Sequence, residues 1–157
     1  MYTSMIENLK SRPMSSQQLG LFIKDRHMEV IAFFLTEARR AVPAAANTST
    51  GFLMDHLPEV LKTMAAYLLS EGSAQSRAAS IEFARKHAME RLGNRKYTAD
   101  QIRKEYAIVR KAILLLVGTD AIYSSHTVQM FSEICELTLA VVIETFVRHE
   151  FEAVTHS

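Results

Sequence analysis

Residues Thr98 to Gly118 read TADQIRKEYAIVRKAILLLVG, and this stretch decides the fold class. Its apolar members Ile102, Tyr106, Val109, Ile113 and Leu116 alternate steps of four and three, a spacing that lines up one face of an α-helix. Thr98 and Gln101 spell a capping box, in which a hydroxyl and an amide side chain satisfy free backbone donors at a helix start. Gly118 supplies the stop.

The same pattern extends upstream. Ser15 and Ser16 precede Leu19, Ile23, Val30, Phe34 and Ala38, a helical line that ends near Pro43. The small and polar stretch Ala44 to Gly51 reads as a loop. Leu53, Leu57, Val60, Leu61, Met64 and Leu68 mark a second helix, with Asp55 expected as its N-cap and Pro58 placed in its first turn. After Glu71, Gly72 and Ser73, a third helix carries Ile81, Ala84, Ala88 and Leu92 before Gly93. Downstream of Gly118, Ser124 or Ser125 opens a last helix that holds no Gly or Pro up to about Val154 and spans about 45 Å. Its apolar residues occupy two lines, Val128, Phe131, Cys135, Val142 and Phe146 on one and Met130, Ile134, Leu137 and Val141 on the next. One line can serve the core and the other a partner. No strand pattern, internal repeat or Gly-rich phosphate loop interrupts this reading. The expectation is an all-α protein: an antiparallel helical bundle or globin-like packing of about five helices with a long C-terminal helix. One domain covers residues 1–157, with 1–14 as an N-terminal extension.

Composition narrows the function. The chain is 48% hydrophobic and 22% charged, the balance of a folded domain and not of a disordered one. Eighteen Lys and Arg against 17 Asp and Glu leave a net charge of +1, so no global field favours nucleic acid. The basic group Arg85, Lys86, Arg91, Arg95, Lys96, Arg103 and Lys104 is interrupted by Glu82, Glu90 and Asp100 and reads as a solvated face. The longest strictly apolar runs, Ala112 to Val117 and Leu139 to Ile143, are far too short to span a membrane, and Met1 to Pro13 is no secretory signal. Cys135 stands alone, which excludes an intrachain disulfide and points to the cytoplasm.

Candidate chemistry begins with six histidines. A di-iron carboxylate site needs Glu three residues before His, but those positions hold Lys24, Leu53, Ala84, Tyr123, Phe146 and Ala153. No two histidines are four apart, so no zincin pair exists and no metal is expected. A non-covalent haem needs only one axial ligand, for which His87 and His56 are the first candidates. His27 lies between Ile23 and Ile31 and reads as a hydrogen-bonded core residue, and Cys135 as a buried, inert thiol. Phe83, His87 and Arg91 fall at i, i+4 and i+8, so a His and an Arg share a line with a core aromatic. Glu105 neighbours Tyr106, Arg110 stands four residues beyond it, and His56 lies in the first turn of its helix. A buried charge must be paired, so Glu105 is expected to meet Arg91 or Arg110. The cluster is then either a clamp between helices or a pocket for a small ligand. An enzyme using Glu105 and a His as acid and base is a remote third option, since no nucleophile accompanies them.

Three motifs carry a family resemblance: Asp55-His-Leu-Pro-Glu-Val-Leu61, Ala84-Arg-Lys-His87-Ala-Met-Glu-Arg91-Leu-Gly93 and Ile102-Arg-Lys-Glu105-Tyr106-Ala-Ile-Val-Arg110. Over residues 17–155 the chain resembles the N-terminal sensory domain of stressosome RsbR-type co-antagonists, a domain also found at the front of some bacterial histidine kinases. The resemblance implies a globin-like or bundle fold without haem that dimerises and signals along its last helix to an output domain. His56, His87, Arg91, Glu105, Tyr106 and Arg110 are the matched positions. The resulting expectation is a non-enzymatic sensory or regulatory input domain, cofactor-free, working as a homodimer through Ile134, Leu137, Val141 and Val142. Its output would come from a continuation of the chain or a separate partner. The alternative is a globin-like haem or tetrapyrrole sensor.

Overall fold

Ser15 starts the first helix by a reciprocal cap: its hydroxyl accepts from the Gln18 backbone N–H while the Gln18 side chain accepts from the Ser15 N–H. The computed structural model describes residues 12–94 and 97–155, so positions 1–11 of the expected extension, with Arg95 and Lys96, lie outside the described residues. The helices are α1 (Ser16–Ala41), α2 (Thr50–Met54), α3 (Leu57–Leu69), α4 (Ala74–Leu92), α5 (Ala99–Val117) and α6 (Ser125–Thr155). A 3₁₀ turn, Pro43–Ala45, follows α1. Among the described residues there is no strand, only a single parallel bridge between Met14 and Tyr123 that ties the chain entry to the α5–α6 connection.

The described residues therefore form an all-α bundle of five long helices and one short one. Pairwise packing closes a ring in which α1 meets α3, α3 meets α4, α4 meets α6, α6 meets α5 and α5 returns to α1. Helices α4 and α5 follow one another in the chain yet are not among the closely packed pairs. Helices α1 and α3 approach closely at Gly20, where an added Cβ would lie 2.9 Å from the Ala65 carbonyl oxygen.

Local differences from the sequence reading have physical causes. The expected loop 44–51 contains the last two residues of the 3₁₀ turn and the start of α2. Asp55 does not cap α3; it closes α2, and His56 takes the N-cap position without a side-chain cap bond. Pro58 is the second residue of α3, where its missing N–H leaves no helix bond unmade. Thr98 caps α5, accepting from the Gln101 N–H at 3.2 Å. Gln101 does not return the bond, because its side-chain oxygen accepts from the Ala44 N–H at 3.0 Å and fastens the loop to α5. His27 is half-buried and not in the core; its ring takes the Lys24 carbonyl, beside the break in α1 at Arg26.

The largest revision concerns α6. Its buried seam is Thr127, Met130, Phe131, Ile134, Thr138, Val142 and Phe146, while Val128 is exposed. The two threonines are tolerated inside because their hydroxyls are bonded, Thr138 to the Ile134 carbonyl at 2.9 Å and Thr127 to the Met14 carbonyl at 2.7 Å. Ile134 and Val142 are fully buried in the chain's own core, so neither can serve as the expected dimer contact; Leu137 and Val141 are half-buried. No described helix is long and apolar enough to cross a membrane.

Candidate functional site

Arg91 lies in the last turn of α4 and is wholly buried. Its Nε donates to both carboxylate oxygens of Glu105 on α5, at 2.8 and 3.1 Å. Nη1 donates to the Phe52 carbonyl at 2.9 Å and Nη2 to the Leu53 carbonyl at 2.8 Å. Those two carbonyls belong to the end of the five-residue helix α2, where a helix has no internal donors left to offer. The guanidinium thus works as a C-terminal cap delivered from another helix, and its positive charge suits the negative end of the α2 dipole. Phe52 and Tyr97 place their rings at 5.2 and 5.3 Å from its central carbon. Glu105 answers the remaining charge from α5, across the one pair of neighbouring long helices that otherwise barely touch.

Electrostatically this is a closed unit. Burial pushes the Glu105 carboxyl above its ordinary range and the Arg91 guanidinium pulls it back, with the net direction upward. Tyr97 is raised by burial and by the charge of Glu105, although its hydroxyl makes no hydrogen bond of acceptable geometry. His87, one turn before Arg91, is held neutral by burial first and then by the Arg91 charge. Its ring meets Tyr106 edge to face, with centroids 5.8 Å apart and planes at 71°. His87 Nδ1 and the Tyr106 hydroxyl are both buried without a partner.

The six sequence-selected residues therefore separate into three places. Arg91 and Glu105 form the clamp, and His87 and Tyr106 pack beside it. Arg110 is exposed on α5, above the Phe131 ring at 5.8 Å. His56 sits outside, its Nε2 3.5 Å from Asp55 and 3.7 Å from Glu90. Phe52 and Tyr97 were not singled out in the sequence; an aromatic on each side of a buried Arg leaves no spacing signal when the three residues come from different elements. Asp55 and Glu90 were missed as partners of His56 for the same reason.

An apolar cleft of about 180 Å³ opens between α3, α5 and α6. Leu57, Val60, Met64, Val109 and Leu139 are among its walls, and Arg103, Arg110 and Glu136 are its charged members. The Tyr106 ring forms part of the wall, while Cys135 lines it with a thiol pushed up to about 12 by burial and so unreactive as a nucleophile. In size the cleft is closer to the ~150 Å³ cavity that accepts a benzene than to a site for a macrocycle. Neither His56 nor His87 lines it.

No protein-family model, curated protein or solved structure gives a significant match to the chain.

Proposed function

We propose that the chain is a non-enzymatic sensory or regulatory module that signals as a homodimer through the far end of α6. The observation that supports this reading is a line of exposed apolar residues, Val147, Phe151 and Val154, at 53%, 68% and 75% exposure. Their spacing of four and three is that of a coiled-coil seam. They sit on the last turns of a helix of 31 residues whose earlier turns belong to the core. The same helix forms a wall of the apolar cleft through Cys135, Thr138 and Leu139, so a change in the cleft has a rigid path to the seam. The arrangement fits the sensory-domain resemblance, with the contact moved from residues 134–142 toward 147–154.

Arg91 favours the clamp over the pocket, since Glu105 and two carbonyls already occupy its donors. No observation favours haem: His87 is enclosed behind Tyr106 and does not line the cleft. Fully burying an apolar side chain contributes about 1.5–3 kcal/mol, against an association cost of about 4–15 kcal/mol. Three residues per copy therefore make a weak seam, and dimerisation should depend on concentration. Light scattering coupled to size exclusion over a hundredfold concentration range tests this. The mass should rise toward the dimer with concentration, and Phe151→Glu should hold it at the monomer. A monomer throughout, or a dimer indifferent to Phe151→Glu, refutes the reading.

A further inference from the structure

We infer that Asp55, His56 and Glu90 form a binding site for a divalent transition-type cation, of which Zn²⁺ is the best fit, joining the α2–α3 junction to α4. One ligand atom from each residue lies within 4.8 Å of the other two. His56 Nε2 is 3.5 Å from Asp55 Oδ2 and 3.7 Å from Glu90 Oε1. A tetrahedral zinc with bonds of about 2.0–2.2 Å has ligand-to-ligand edges of about 3.3–3.6 Å. The two edges from His56 are near those of donors arranged around an ion, and long for hydrogen bonds between those atoms. One imidazole and two carboxylates are a borderline donor set that suits zinc better than the all-oxygen shells of calcium or magnesium. Three protein ligands leave the fourth position to water.

The surroundings favour a cation. Arg91, which follows Glu90 on α4, has its charge matched by Glu105. His87, one turn before Glu90, is fully buried with Nδ1 unpartnered. The site also has a mechanical sense. Arg91 holds the carbonyls of Phe52 and Leu53 from inside the bundle, and a metal on Asp55 and His56 would hold the far side of Met54 in the same junction from outside.

This inference is independent of the dimer reading. The test is calorimetric titration of the full chain with zinc chloride after removal of metals, with thermal unfolding recorded with and without zinc. The expected result is one saturable site per chain and a higher Tm with zinc. His56→Ala and Glu90→Gln should each weaken binding at least tenfold and abolish the Tm shift. His126→Ala is the control, because His126 lies 3.8 Å from Glu71 alone and should leave binding unchanged. Absence of saturable binding up to 100 µM zinc, roughly the weak limit of a useful site, overturns the inference. So does binding that survives both His56→Ala and Glu90→Gln, or that is lost equally in His126→Ala.

Discussion

Glu105→Gln is the substitution that most directly probes the clamp. The exchange keeps the shape of the side chain and removes only its charge, leaving the guanidinium of Arg91 buried among two carbonyls and two rings. Both partners are essentially inaccessible, at 0% and 1% side-chain exposure, so water cannot replace the lost carboxylate. Removing one member of such a pair costs about 3–5 kcal/mol, a large share of the 5–15 kcal/mol that holds a typical domain together. Arg91→Met should cost at least as much, since it also leaves the Phe52 and Leu53 carbonyls without donors. The double variant Arg91→Met/Glu105→Met should be less destabilised than the sum of Arg91→Met and Glu105→Met, because neither charge is then left alone. Urea unfolding followed by circular dichroism measures all four variants. Hydrogen exchange adds a spatial signature: residues 50–56 should lose protection in Arg91→Met and keep it in Glu105→Gln. A Glu105→Gln variant within about 0.5 kcal/mol of the parent would show that the charge is not confined as described, and the clamp argument would fail.

Three other outcomes follow from the packing and the buried ionisable groups. His87 is neutral in the fold and takes up a proton below about 6.5 when unfolded, so stability should fall as pH drops below that value, with a limiting slope of about 1.4 kcal/mol per pH unit. His87→Leu, measured in EDTA, should flatten this slope. Gly20→Ala should lower stability by about 1–3 kcal/mol in thermal melts, because the new methyl meets both the Ala65 carbonyl oxygen and Leu69 Cγ at 2.9 Å. Cys135, with its thiol raised to about 12, should resist a disulfide reagent at pH 8 in the native protein and react at once in denaturant.

How far the sequence could be read depended on how local the signal was. Helix α5 was legible because its stripe, its Thr98 cap and its Gly118 stop all lie within one segment. Helix α6 was legible in extent but not in orientation. Burial of Thr127 and Thr138 depends on hydroxyl bonds, one to the helix's own Ile134 carbonyl and one to Met14 across the bundle, and a count of apolar residues sees neither. Without those two positions the apolar residues divide into two false lines, and the core residues Ile134 and Val142, which share one seam, are split between them. The capping box at Thr98 shows the same limit: half of it is local, whereas the side chain of Gln101 is drawn to Ala44, 57 residues away.

The polar cluster was legible as a need for a partner, since a buried Glu105 demands a cation, but the identity of that cation depended on where α2 ends. A helix of five residues satisfies few of its own carbonyls, and those of Phe52 and Leu53 face the interior. Only a side chain with several donors in a fixed fork can reach two carbonyls and a carboxylate together, which is the geometry of Arg and not of Lys or His. Arg110, four residues beyond Tyr106, lies over Phe131 on α6 and has no such carbonyls to serve. The choice of Arg91 therefore follows from the shortness of α2, and it explains why the charge stands inside the bundle. A leucine at position 91 would fill the space between the Phe52 and Tyr97 rings, yet it would leave the end of α2 without the Arg91 donors and α4 without its ion pair to α5.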